Sequence, residues 1–270
     1  MTTDCLIWGP SSNQNAIALY EGVKSCGFTP EYLAPSGFHP NEHINGVKLC
    51  CVLGLRPRSK AIFNYYTSKN IPTLVIDSAY ILRSQKYMQL GLNGLNWLPP
   101  DAPHDRAKTM GLIPEGTAKS KRGDKILLCR QKPGDAQHEV QDVDGWLNRI
   151  KKQVQRVSDR EIIDRPHPQV AQAERPLADD LADAWCIVTY NSTAAYEALL
   201  AGVPVFCDEV SVYKECANTD FNKIESPYLP AKQTRQKLFD RLTYAQWTLD
   251  EIKTGKPINW VLGHLKNAQP

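Results

Sequence analysis

Long apolar runs are missing from this chain: no uninterrupted stretch of apolar residues exceeds five. A membrane-crossing helix needs about 20, so none is expected. An excess of one charge sign is missing too, with 32 Lys and Arg against 29 Asp and Glu. That balance implies no gross electrostatic grip on nucleic acid or membrane, and leaves room only for local patches. The eight cysteines include no CxxC spacing, and most sit in apolar runs such as KLCCVLG around Cys50 and Cys51. Buried, reduced thiols are expected rather than a disulfide framework. The start, MTTDCLIWGP, lacks the basic flank and long apolar core of a signal peptide, and a cytoplasmic protein is expected. The phosphate-binding patterns GxxxxGK[ST] and GxGxxG are absent, which disfavours a kinase.

What is there is a chain of 270 residues, 42% apolar and 23% charged, enough for two domains of about 100–150 residues each. Short apolar runs alternate with helical patterns. Strands are expected at 5–8, 31–34, 49–53 and 73–76, with helices at 13–26 and 59–69. Residues 83–123 hold many Gly and Pro and then the basic run 119–122, and are expected to connect two halves. The rhythm returns with strands at 125–129, 161–163, 185–189 and 203–207. Helices fit 143–157, 176–184, 191–201, 234–243 and 248–254. Strands alternating with helices imply parallel sheets. The boundary is placed at residue 110: an N-terminal domain 1–110 and a C-terminal domain 111–270 whose last helices can pack back on the first.

Three expected strand ends carry polar chemistry. In WCIVTYNSTAAYEALLAGVPVFCD, a strand runs into Asn191-Ser192-Thr193 and a helix opens at once. Its small residues Ala194, Ala195 and Ala198 allow close packing on a sheet. Its first N–H groups, with the Ser192 and Thr193 hydroxyls, suit a phosphate, and Glu197 suits ribose or sugar hydroxyls. An ordinary helix cap with a solvated Glu197 accounts for the same residues. In IIDRPHP, Arg165 and His167 sit on a proline-stiffened turn; a rigid surface turn is the alternative. In LLCRQKPGD, Arg130, Gln131, Lys132 and Asp135 follow a strand. Ligands of open parallel sheets bind beyond the carboxyl ends of strands, so three such loops weigh more than one.

The order QxPxD, then RPHP, then NSTxxxEAxxxGxPV resembles the glycosyltransferases of capsular polysaccharide biosynthesis, those that act like capsule Kdo transferases. The tail YAQWTLDEIKTG and the earlier PHDR are similar to segments of the same family. The resemblance covers roughly residues 100–255. It implies an α/β GT-B fold: two Rossmann-like domains with parallel sheets and a nucleotide-sugar cleft between them. By the same resemblance His167, Ser192 and Thr193 contact the donor's phosphates and Glu197 its ribose or sugar, while Gln131 and Asp135 line the cleft; the need for positive groups on a departing phosphate adds Arg165 as an expected leaving-group stabiliser. The donor is a UDP- or CMP-sugar and no cofactor is implied. No Asp-x-Asp metal site is expected, so the transferase is expected to be metal-independent. The N-terminal half is short for a full acceptor domain, which fits a compact, phage-encoded enzyme acting on DNA.

The acceptor therefore has two candidates: 5-hydroxymethylpyrimidine in DNA, favoured by the basic segments around Lys119, Lys121, Arg122, Lys132, Lys151 and Lys152, or a surface glycan. General-base candidates are Asp77 and Asp135. Ser11, Ser12, Asn13 and Lys132 are expected on the acceptor side, although turn and cap roles suit the first three equally. His39 and His43 have i,i+4 spacing, but Pro40 argues against a helix and a metal site is not expected. A sugar-nucleotide epimerase or hydrolase, or a binding module without catalysis, would share the donor site.

Overall fold

The computed structural model describes residues 3–40, 42, 45–82, 86–116, 123–134 and 142–265. The expected residues His43, Lys119, Lys121, Arg122 and Asp135 lie outside these. The chain divides into two compact units, Met1–Ala102 with Arg241–Pro270, and Pro103–Asp240.

The first unit is built on β1 (Cys5–Trp8), α1 (Gln14–Ser25), β2 (Pro30–Leu33), β3 (Leu49–Leu53), α2 (Pro57–Ser68), β4 (Thr73–Ser78) and β5 (Tyr87–Leu92). Strands β2-β1-β3-β4 are parallel neighbours in that order. Their residues alternate between two cores. Cys5, Ile7, Leu49, Cys51, Leu74 and Ile76 face α1, whereas Leu6, Trp8, Cys50, Val52 and Val75 face α2. Burial on both faces is why these strands read as unbroken apolar runs rather than alternating ones.

The second unit contains α3 (Asp105–Thr109), β6 (Lys125–Cys129), α4 (Val143–Val154), β7 (Ile162–Arg165), α5 (Leu177–Asp183), β8 (Ala184–Val188), α6 (Ala194–Leu200) and β9 (Val205–Phe206). All four strands are parallel, in the order β7-β6-β8-β9. This is the order of the first four strands of the other unit. Val143, Trp146, Leu147 and Val154 of α4 close one face over Ile126, Leu128, Cys186 and Val188. α7 (Lys232–Tyr244) contains the boundary back to the first unit, where β10 (Gln246–Thr248), α8 (Leu249–Lys253) and α9 (Lys256–Gly263) follow. Among the described residues, no helix is long and apolar enough to cross a membrane.

The stretch 83–123 does hold the passage from the first unit to the second, at 102–103, but it is not bare connection. That stretch holds β5 and α3, and β5 runs antiparallel to β4 and to β10. The first sheet is therefore mixed rather than wholly parallel. Gly91 is why its glycines mislead: a Cβ there would sit 2.1 Å from the Gly94 carbonyl oxygen. Gly91 belongs to a strand whose backbone is approached closely, not to a linker. The eight cysteines are free thiols, seven of them buried and Cys26 partly so.

Candidate functional site at the carboxyl edge of the second unit

In the order β7-β6-β8-β9, the chain leaves β6 toward β7 on one side and returns to β8 on the other. The topological switch point therefore lies between the carboxyl ends of β6 and β8, where open sheets take ligands. The structure brings the three expected loops together at this edge.

Gln131, after β6, reaches the loop after β8: the Asn191 N–H donates to Gln131 Oε1 at 2.6 Å. Thr189 Oγ1 donates to the Cys129 carbonyl at 3.2 Å, and the Ser192 N–H donates to Thr189 Oγ1 at 3.3 Å. Lys132 reaches the loop after β7, donating from Nζ to Gln169 Oε1 at 3.2 Å. His167 lies in that loop, half-buried between Pro166 and Pro168. The Gln169 N–H donates to His167 Nδ1 at 3.1 Å. In the neutral ring this places the proton on Nε2.

One expectation needs correction. The N–H groups that open α6 are used locally. Ala194 donates to Ser192 Oγ at 3.3 Å, Ala195 to the Ser192 carbonyl and Tyr196 to the Thr193 carbonyl. Ser192 thus acts partly as the local turn residue. The Thr193 N–H and hydroxyl, by contrast, have no internal hydrogen bond among the described residues.

Arg165 ends β7, and its guanidinium pairs with Asp180 of α5 and donates to the Arg175 carbonyl at 2.9 Å. Glu197 is half-buried; burial raises its carboxyl above the usual pKa, and the Arg165 charge pulls the other way. A raised folded-state value contributes stability at low pH that is lost as pH rises through that value. Glu197→Gln is therefore expected to raise the unfolding temperature at pH 7.5 and to lose that advantage toward pH 4. Parallel melting curves for the two proteins across this range check it; an advantage that grows with acidity would contradict the burial argument.

The expectation of no Asp-x-Asp site needs correction as a ground for metal independence, because the sequence contains one such triplet, Asp142-Val143-Asp144. The structure uses these carboxylates within the fold. The Gly145 N–H donates to Asp142 Oδ1 at 2.7 Å as the cap of α4, and Asp144 pairs with Arg130 at 3.2 Å. Arg130 is also bidentate to Asp164, at 2.6 and 2.7 Å, so it braces the edge.

Ser11, Ser12, Asn13 and Asp77 lie at the carboxyl edge of the first unit's sheet. Ser11 and Ser12 are exposed. Asn13 caps α1, its Oδ1 accepting from the Asn15 and Ala16 N–H groups at 2.9 and 3.3 Å. Asp77 accepts from the Ser78 N–H at 2.7 Å and faces Gly54, where a Cβ would come within 3.3 Å of its Oδ2.

Sequence inspection missed Ser211 and the double use of Asn191. Ser211 Oγ donates to Asn191 Oδ1 at 2.9 Å, with both residues buried. Asn191 reads as a cap and Ser211 follows no motif, so nothing in the sequence signals the pair.

The fold is shared with two solved Kdo transferases. One is Thermosulfurimonas dismutans KpsC, beta Kdo 2,4 transferase, with a TM-score of 0.58 and 13% identity over 89% of this chain and 90% of that one. The other is KpsC, beta Kdo 2,7 transferase, of the same organism, with a TM-score of 0.53 and 11% identity over 97% and 99%. At this identity the likeness is one of fold. No protein-family model matches the sequence, and no curated protein matches it.

Proposed function

We propose that the protein is a GT-B-type glycosyltransferase. In this reading it moves a sugar from a nucleotide-sugar to a hydroxyl of a glycan, with the donor on the second unit and the acceptor on the first. The observation that carries this is the meeting of three polar loops at one switch point, with Gln131 tied to Asn191 and Lys132 to Gln169. The fold shared with two Kdo transferases supports it.

In the reaction the acceptor oxygen bonds to the anomeric carbon as the bond from that carbon to the phosphate oxygen breaks. A carboxylate takes the hydroxyl proton; Asp77 is proposed for this, with Asp135 as the alternative. His167 and the Thr193 donors meet the charge that develops on the departing phosphate. Ser192 and Glu197 complete the donor side, and Gln131 and Arg165 hold it in shape.

The glycan is preferred over DNA because two of the cations proposed for phosphates are already engaged: Lys151 pairs with Asp164 at 3.4 Å and Lys132 bonds Gln169. Duplex binding normally recruits many such cations and weakens steeply with salt. Sugar transferred to hydroxymethylated DNA, with salt-sensitive duplex binding, would reverse this preference.

Two expected results test the donor site. A CMP- or UDP-sugar raises the unfolding temperature, and EDTA leaves the shift unchanged; at 100-fold excess over Kd the stabilisation is about 2.7 kcal/mol. A shift that appears only with added Mn²⁺ or Mg²⁺ would end the metal-free reading. His167→Ala and Thr193→Val each weaken donor binding by about 1.5–3 kcal/mol, and Ser192→Ala by less, because its oxygen already serves the Ala194 N–H. Titration calorimetry ranks them; donor affinity unchanged in both larger variants would move the site.

A further inference from the structure

Ser211 lies in the turn after β9, 20 residues beyond Asn191, and belongs to no motif. Its side chain is nonetheless fully committed. The hydroxyl donates to Asn191 Oδ1 at 2.9 Å and accepts from the Tyr213 N–H at 3.2 Å, while its own N–H donates to the Asp208 carbonyl at 3.0 Å. Ser211 is 2% exposed and Asn191 5%. Besides Asn191 and the Tyr213 N–H, the Ser211 hydroxyl has the Cys207 thiol as a hydrogen-bond neighbour.

Asn191 is therefore held twice. Its side chain is fixed by the loop after β9, and its N–H by Gln131 from the loop after β6. A buried polar pair of this kind is a poor way to gain stability, since apolar groups of the same shape do as well. What it supplies is direction: one conformation of the loop satisfies both bonds, and any other leaves a buried polar group unpaired. The residue that this conformation presents is Thr193, whose N–H and hydroxyl have no internal hydrogen bond among the described residues.

We propose that Ser211 is a positioning residue of the donor site: acting through Asn191, it holds the loop after β8 so that Thr193 meets the donor's phosphate. Gln131 does the same from the other side, so its carbonyl oxygen serves the loop and not the ligand. The assignment rests on the donor reading above.

The test measures CMP and UDP binding by calorimetry, with amide hydrogen exchange, on the full chain. Ser211→Ala is expected to weaken the nucleotide that wild type binds by about tenfold. It should also speed exchange of the Asn191 amide while leaving the amides of β6 and β8 protected. Ser211→Thr keeps the hydroxyl and is expected to restore both. Thr193→Val added to Ser211→Ala is expected to cost little more, because the two act as a unit. Wild-type affinity in Ser211→Ala, or a loss that Ser211→Thr does not restore although it melts like wild type, overturns the assignment while the donor reading stands. Fully additive losses in the double variant overturn it as well. Wild-type protein that binds neither nucleotide overturns the donor reading and the assignment together.

Discussion

Arg235→Met is expected to lower the unfolding temperature of the protein by about 10 °C. Arg235 is 0% exposed, and its partners among the described residues are backbone carbonyls rather than a carboxylate. Nε donates to Pro230 O at 3.1 Å, one terminal nitrogen to Leu199 O, and the other to Glu115 O at 2.8 Å and Gly116 O at 3.1 Å. One guanidinium thus ties α7 to the end of α6 and to the segment at 115–116. Burial works to lower its pKa; the last carbonyls of α6 help to hold the charge. Methionine fills the volume of the stem but leaves four carbonyls without their donor, for a cost of about 3–5 kcal/mol. Arg235→Lys keeps the charge without the fork and is expected to recover only part of the loss. Calorimetry of the three proteins decides, and a Met variant within about 1 kcal/mol of wild type would contradict the argument.

Gly22→Ala is the second large effect, and its sign separates two levels of description. Gly22 sits inside α1, where an exposed Gly→Ala change gains about 1 kcal/mol from helix propensity alone. In the folded chain a Cβ at this position would lie 2.2 Å from the Ile252 carbonyl oxygen of α8 and 2.7 Å from Ile258 Cδ1 of α9. The obstacle is backbone, which cannot rotate away, so a net loss of about 3 kcal/mol is expected. Limited proteolysis should then cut within 249–263 sooner than in wild type. A stabilised Gly22→Ala protein would mean that α8 does not pack on α1 as described.

The parts of the fold that were legible share one property: their pattern is local. Cys5–Trp8, Leu49–Leu53 and Lys125–Cys129 are strands with the boundaries their apolar runs imply, because burial on both faces demands apolar residues at every position. Helix α1 begins at its Asn13 cap and stops before Gly27, whose φ of 89° suits glycine. β5, β10 and α9 were not legible. β10 is recognised only by its pairing with β5 across more than 150 residues of chain, and β5, which pairs with β4 as well, carries a glycine that only its surroundings explain.

The candidate site divides in the same way. By itself the sequence determined the alternation of strands and helices, the parallel pairing that follows from it, and the three polar loops at strand ends, because each depends on residues adjacent in the chain. Tertiary structure alone decided which loops meet. It tied Gln131 to Asn191, turned Arg165 inward to Asp180, used Ser192 in its own turn and left Thr193 presented. It also recruited Ser211, from a turn with no motif, to hold Asn191. The physical reason is that a hydrogen bond depends on distance and direction in space, and for residues 20 or 60 apart in the chain those are set by the order of strands in the sheet.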